Sequence, residues 1–486
     1  DPAWVGMTPD MMPRVPASLL GVAVPGATFA EVHPELQRTY CGTIAYEIEH
    51  ISNHDQRQWL REFIESGQVR RPLSRDDRTA LLDRLVSVEV FERFLRRTYL
   101  GQKTFSLEGC DALIPMMDGI IEDVAAAGVP EIIIGMAHRG RLASIMHTVG
   151  RPPESILAEF EGHVEDVGDE NIDGEPYAAA GDVKYHLGAE GTYPTKSGKS
   201  VHVTLAANPS HLEQVNAVTE GRTRARQTLR AEPIATHDPS RAVALLIHGD
   251  AAFPGQGVVA ETLNLQDLVG YTTGGTIHII VNNQVGFTTD PEDSRSTRYA
   301  SDLAKGFDMP IVHVNADDVD ACMAAVRFAT AYREKFQDDV LIDLIGYRRL
   351  GHNELDEPAY TQPVMARTIK EHPTVARIFA DRLISDGVVD AAAYDAMVQG
   401  AEDRMSAAHK RVVSGLEQGS DADSTRDKRR RAKTQVVKTR VSASSLRSLN
   451  EQLHLPPDGF EIHPKLAPQL ERRRSGLAEE QGITWG

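Results

Sequence analysis

Two short stretches combine residue types that can hold a divalent cation beside an anion. The first is Gly249-Asp250-Ala251-Ala252, closing the apolar run AVALLIHG, and the second is Asn282-Asn283, closing the next apolar run, TIHIIVNN. Asp250 offers one hard carboxylate oxygen, and magnesium commonly takes one or two carboxylates, with phosphate oxygens and water completing its octahedron. An Asn side-chain oxygen and a nearby backbone carbonyl can fill the remaining protein positions without adding negative charge beside the anion. Gly249 is expected to allow a tight turn that a Cβ would hinder. Amides at that turn and at a helix starting near Gly257 can face phosphate oxygens, helped by the helix dipole. A Gly-Asp pair alone is most often a simple turn. Strand, Gly-Asp, helix and a second strand ending in Asn-Asn form a much more specific combination.

Other polar loops also follow apolar runs. His138-Arg139-Gly140-Arg141 either caps the helix after it or grips an anion, and the planar fork of Arg139 suits phosphate or carboxylate. His186 sits in Lys184-Tyr185-His186-Leu187-Gly188, Ser210 follows Asn208-Pro209, and His352 stands in Gly351-His352-Asn353-Glu354. A neutral imidazole at His352 can steer protons near pH 7. The alternative is a loop-bracing histidine paired with Glu354 or Asp356.

These loops need elements to position them. EIIIGMA, VHVTLAA, AVALLIHG, TIHIIVNN, PIVHVNA and VLIDLIGY are short, rich in Val and Ile and nearly all apolar, as strands buried on both faces are. Their alternation with helical stretches predicts an α/β fold with a doubly wound parallel sheet and right-handed crossovers. Ligands in such sheets bind beyond the carboxyl ends of the strands, where all these loops fall. Residues 1–32 read as an extended segment, and 33–130 as a helical region in which Leu60, Phe63 and Ile64 share one face and Val88, Phe91, Phe94 and Leu95 another. Residues 131–361 form the α/β domain, and 362–486 a helical extension and linker. Within the last part a helix is expected from Asp390, as N-cap, to Leu416. The charged stretch EQGSDADSTRDKRRRAK, with its basic run Lys428 to Arg431, reads as a solvated linker or a docking strip for an acidic partner.

A length of 486 residues favours two or three domains. The formal charge of −18 argues against nucleic acid, which requires a basic face, but leaves small anions open because local groups decide their binding. Cys41, Cys110 and Cys322 are odd in number and form no C-x-x-C pair, so neither a disulfide framework nor a thiolate zinc site is expected. No apolar run nears the roughly 18 residues of a membrane span, and the acidic start DPAWVGMTPD lacks signal-peptide order. A bacterial cytoplasm is the expected compartment, with a mitochondrial matrix after transit-peptide removal as the alternative.

The segments GMAHRGRL, GDVKYHLG, ANPSHLE, GDAAFPGQGVVAE, VNNQVGFTT, HVNADD and GHNELDEPAYTQP occur here in that order. In both content and order they resemble the decarboxylating, thiamine diphosphate-dependent component of 2-oxoglutarate dehydrogenase, specifically its first, diphosphate-binding half. The likeness runs from about His33 to the end, and Ala251 stands where that branch commonly replaces the second Gly of the cofactor's Gly-Asp-Gly pattern. The resemblance implies that Asp250, Asn283 and the Val285 carbonyl bind Mg2+. It implies that Ala251, Ala252, Arg139 and the Leu212 backbone contact thiamine diphosphate. It places His138 at the reacting centre and gives His186 and Ser210 to the 2-oxo acid, with His211 left as a local structural residue; His352 is assigned to the cofactor or active centre, and His138, His186 and His352 are the candidate catalytic residues.

The activity so implied is oxidative decarboxylation of 2-oxoglutarate, with the succinyl group passed to a lipoyl-bearing acyltransferase component of a multienzyme complex. In that family a second domain binds the aminopyrimidine ring and carries the activating glutamate. The sequence ends at GITWG, where that domain would begin, so a companion chain or a longer product is expected to supply it, in a homodimer or heterotetramer. The family's helical docking arm is not recognisable in residues 1–32. Competing readings are a 2-oxoadipate enzyme, a non-oxidative decarboxylase or carboligase, and a regulatory or assembly half-subunit without catalysis.

Overall fold

The computed structural model describes residues 2–161, 183–230, 235–417 and 439–476. The stretch with the basic run Lys428 to Arg431 and the terminal GITWG lie outside them. Two compact units are present, Asp1–Ser414 and Gly415–Gly486.

The first unit is built on an eight-stranded sheet. Its strands are β1 (Ile44–Glu47), β2 (Glu131–Met136), β3 (Ala189–Pro194), β4 (Ser200–Leu205), β7 (Val243–Gly249), β8 (Ile277–Asn282), β9 (Ile311–Asn315) and β10 (Val340–Ile345). A separate two-stranded ribbon pairs β5 (Thr228–Leu229) with β6 (Thr236–His237). The order across the main sheet is β1-β9-β10-β8-β7-β2-β4-β3. Every pairing from β9 to β4 is parallel. These are the six apolar runs of the sequence, and β8 is buried along its whole length. Burying one Val, Leu or Ile contributes about 1.5–3 kcal/mol, so strands packed on both faces stabilise the core strongly.

The sheet departs from the expected all-parallel one at both edges. β1 pairs antiparallel with β9, and β3 antiparallel with β4. β3 and β4 are joined by the tight turn Thr195–Lys199, where the Thr195 N–H donates to the Lys199 carbonyl at 3.0 Å. A connection that short admits only an antiparallel pair. β1 brings a strand out of a region whose sequence reads as helical.

The helix Arg75–Thr98 buries Val88, Phe91 and Leu95, and the helix His54–Glu65 buries Leu60 and Ile64, as their spacing predicts. Toward the N-terminus, short 3-10 turns at Pro2–Val5, Met12–Arg14 and Ala17–Leu19 precede a helix Phe29–Tyr40, where the sequence reads as extended up to residue 32. The helix Ala391–Glu417 starts as expected: the Asp390 carboxylate accepts from the Ala393 N–H at 2.7 Å. Val375, Phe379, Leu383 and Met405 share the core of the sheet. No described helix is long and apolar enough to cross a membrane. The second unit holds the helices Ala443–Leu453 and Ala467–Ser475, tied by Asn450 Nδ2 donating to the Arg474 carbonyl at 2.8 Å.

Candidate cofactor site

β7 and β8 are neighbours in register, with Gly249 opposite Val281. The Gly-Asp turn therefore lies beside Asn282-Asn283 at one end of the sheet. A Cβ added at Gly286 would come within 2.6 Å of the Ala251 Cβ, so the two loops touch, and only glycine fits between them.

Asp250 is 4% exposed and Asn283 7%. Asn283 Oδ1 accepts from the Val285 N–H at 3.3 Å, while the Val285 carbonyl receives no donor among the described residues. Burial raises the Asp250 carboxyl to about 6, against the pull of its own backbone N–H and of the Arg295 and Arg139 charges. Arg295 Nε and Nη1 are buried without a partner. One carboxylate, one amide oxygen, one free carbonyl and an unpartnered guanidinium fit a magnesium–diphosphate pair better than a bare metal. Among the described residues no three His, Cys, Asp or Glu side chains gather as a metal cluster.

One expectation about this turn needs correction. Gly249 does not have a positive φ, and a Cβ there would meet only the Ala252 Cβ, at 3.8 Å. A Cβ would fit there in ordinary van der Waals contact, so glycine is not demanded by the backbone. The helix starts at Gly257 as expected, but it is short, Gly257–Leu263, and a further helical turn, Ala252–Gly255, precedes it across the extended Gln256. A long helix dipole is therefore not available to the anion.

The strain lies in the loop after β8. Gln284 (φ 62°) and Phe287 (φ 56°) are left-handed, a conformation that side chains disfavour and that concentrates at functional sites. Gln284 Nε2 donates to the Gly346 carbonyl at 2.7 Å, and the Phe287 ring sits 4.7 Å from that of His352.

The histidine loops meet around Phe105. Its ring lies 4.3 Å from His138, 5.5 Å from His352 and 5.0 Å from Tyr185, and the two imidazoles are 5.5 Å apart. Burial comes first in lowering His138 to about 3 and His352 to about 4, and the Arg139 charge adds to both. Both rings are neutral near pH 7. His186 is close enough for its charge to act on His138, and its carbonyl accepts from the Asn208 N–H at 2.9 Å.

Arg139 is committed elsewhere: Nη1 donates to the Ser106 carbonyl at 2.8 Å and Nη2 to the His352 carbonyl at 2.7 Å. The bracing alternative for the His352 ring is not built. Glu354 Oε1 accepts from the Ser106 N–H, and Asp356 from Asn353. Gly140 is left-handed (φ 76°), and a Cβ there would strike Leu107 at 2.9 Å, so glycine turns the chain from His138 into the next helix. Ser210 and Leu212 are exposed between β4 and the helix Gln214–Gln227, apart from the histidine rings in every ring contact and side-chain hydrogen bond described.

Sequence reasoning missed four participants. Phe105 and Tyr185 look like core aromatics, and Arg295 like a loop charge. Arg141, fully buried, donates to the carbonyls of Met136, Leu187 and Ala206, tying β2, the His186 loop and the end of β4 together. Its place in one loop with His138 and Arg139 was the available signal.

A family model described as "Dehydrogenase E1 component" matches residues 83–419. The chain is 44% identical to the 2-oxoglutarate dehydrogenase E1 component of Bacillus velezensis over 99% of its own length and 51% of the relative's. It is 45% identical to that of Bacillus pumilus with the same coverage, and 48% identical to that of Bacillus mycoides over 94% of this chain and 47% of the relative. It thus spans about half the length of the curated relatives it matches. With the family model matching well over half of the sequence, the chain belongs to the dehydrogenase E1 component family.

Proposed function

We propose that this chain supplies the diphosphate- and magnesium-binding half of a thiamine diphosphate-dependent decarboxylase acting on 2-oxoglutarate. The observation that carries this is the Gly-Asp turn packed against the Asn-Asn loop on adjacent parallel strands, with acceptors and a guanidinium left unused. Asp250, Asn283 and the Val285 carbonyl would hold Mg2+. Ala251, Ala252, the Leu212 backbone, Arg139 and, from its position, Arg295 would surround the diphosphate. In this reading residues 131–361 are the cofactor domain, wound on both faces of the sheet.

When bound, the cofactor supplies a carbanion nucleophile and an electron sink for release of carbon dioxide from a 2-oxo acid. The protein's part is positioning and proton management. His138 and His352, neutral near pH 7, present imidazole nitrogens that can accept a proton or a hydrogen bond. His186 and Ser210 would meet the substrate's carboxylates, and Phe105 and Phe287 pack against the imidazoles. Arg139 acts chiefly as a brace, holding the Ser106 and His352 loops together.

The remaining half of the site, with the aminopyrimidine pocket, would come from a continuing or companion chain, and the acyl acceptor would be a lipoyl-bearing component. The relatives' source favours a bacterial cytoplasm. The test is reductive acylation of a lipoyl domain by the protein joined to its second half, with 2-oxoglutarate and 2-oxoadipate compared. Succinylation with 2-oxoglutarate is expected. Hydroxyketone formation without acylation would replace this reading with a carboligase, and cofactor-independent partner binding alone would point to an assembly subunit.

A further inference from the structure

The exposed run Pro209 to Leu212 has a buried residue at each end. At the near end the Asn208 N–H donates to the His186 carbonyl at 2.9 Å, on the histidine side. At the far end Glu213 reaches the opposite way. Its Oε2 lies 2.7 Å from His248 Nδ1 and accepts from Asn216 Nδ2 at 2.8 Å. His248 is the residue of β7 directly before Gly249-Asp250. The one short loop that carries Ser210 and Leu212 is thus anchored to both groups of candidate site residues.

Glu213 is an unusual residue for its place. It is left-handed (φ 68°) where the helix Gln214–Gln227 begins, a backbone that glycine, asparagine or aspartate would take more readily. Only the longer carboxylate reaches β7. Burial by itself would raise this carboxyl, but His248, then Asn216 and the Gly249 N–H, more than reverse that and hold it below its ordinary value. An ionised carboxylate only accepts, so His248 Nδ1 carries the shared proton. The other nitrogen of that ring lies 3.0 Å from His278 Nδ1, and His278 Nε2 lies 3.3 Å from Asp339. A partner on the second nitrogen fixes the tautomer and the ring plane. Glu213 therefore meets a donor that is itself held from behind, and breaking such a buried contact on one side is costly.

We propose that Glu213 is a positioning residue: through His248 it bridges the Ser210–Leu212 loop to the strand that carries the Gly-Asp turn. Its use rests on the cofactor reading above, in which the bridge sets the Leu212 backbone and Asp250 against one diphosphate–magnesium pair. The test is amide hydrogen exchange on the 486-residue chain, with calorimetry of thiamine diphosphate and magnesium beside it. Glu213→Gly suits the left-handed backbone and deletes the bridge. Glu213→Asp keeps the charge and tolerates that backbone, yet is one methylene too short for His248. Glu213→Gln keeps an oxygen at full reach. In the free chain the Gly and Asp variants should speed exchange at least about tenfold at Asn208 and Asn216, beside the loop, and at Gly249 and Asp250 in the turn, with β2 and β9 unmoved. Both should weaken cofactor binding about tenfold, and Glu213→Gln less than about threefold. Faster exchange beside the loop alone, an equal rise across β2 and β9, or parent-like rates in Glu213→Asp would each overturn the bridge. Unchanged cofactor affinity in the Gly and Asp variants would overturn its positioning role. A parent chain that binds no thiamine diphosphate, with the exchange result as expected, would overturn the cofactor reading and leave the bridge standing.

Discussion

The loops after β2 and β10 and the loops after β7 and β8 lie at the same end of one parallel sheet, yet they differ in how far the chain satisfies its own polar groups. On the histidine side Arg139 ends on two carbonyls, Glu354 and Glu92 accept from the amides of Ser106 and Leu107, and Phe105 fills the space between the rings. Glu354 Oε2 is the exception there. On the Gly-Asp side the Val285 carbonyl, Asn282 Oδ1 and two nitrogens of Arg295 have no partner among the described residues. Buried polar groups without partners cost about 1–3 kcal/mol each. The histidine cluster is therefore finished by the protein itself, whereas the Gly-Asp side keeps polar groups that the proposed cofactor would satisfy.

The largest effect should come from removing the single carboxylate of the unfinished side. Asp250→Ala should weaken binding of thiamine diphosphate with magnesium at least about 100-fold, or roughly 3 kcal/mol, by calorimetry. Because burial already disfavours the charged Asp250, the thermal midpoint of the free chain should hold or rise. Unchanged binding would remove the distinction between the two sides.

Contact between the two loops can be tested by a crowding and rescue pair. Gly286→Ala places a methyl against Ala251, and overpacking of this kind costs about 1–3 kcal/mol. Cofactor binding should fall about tenfold. Adding Ala251→Gly removes the atom in the way and should restore most of it; failure of the double variant to recover would show that the loops are not coupled through this contact.

On the finished side the consequence is different in kind. Phe105→Ala should lower stability by about 1–2 kcal/mol, less than for a fully buried ring, in chemical denaturation. It should also let water reach the imidazoles. Since burial is the main cause of their depressed values, both His138 and His352 should titrate closer to 6.5 by NMR. Unmoved titrations would mean that the cluster is held by something other than Phe105.

The two sides were also unequally legible in sequence. Asp250, Asn283 and Val285 could be found because strand ends and hard oxygen donors leave a local pattern, and β7 and β8 read as buried runs. Phe105, Tyr185 and Arg141 could not, because they act through distant partners: Phe105 meets loops after β2 and β10, and Arg141 reaches Leu187 and Ala206. Arg139 illustrates the same limit from the other direction, since residue type suggested an anion and only the fold shows two carbonyls. The edge strands β1 and β3 escaped because an edge needs no continuous apolar run; β3 alternates buried and exposed positions with little Val or Ile. His248, hidden inside an apolar run, belongs to a buried chain from Glu213 through His278 to Asp339 that no local spacing announces.

The smallest effect belongs to Glu92, under the Phe105 segment. Its Oε2 accepts from the Leu107 N–H at 2.8 Å and from the Ser106 hydroxyl, yet burial raises the carboxyl to about 8. The folded chain therefore keeps this proton between its ordinary value of 4.5 and about 8, while the unfolded chain gives it up. Stability from this group is complete below pH 4.5 and is lost as pH rises toward 8. Glu92→Gln keeps an oxygen for the two donors and removes the titration. It should match the parent near pH 4 and gain about 1 kcal/mol at pH 8, after discounting for partial solvent access. A gain that is equal at both pH values would place the cost in packing. A loss at pH 8 would mean that the carboxylate is ionised there and that the histidine side depends on its charge.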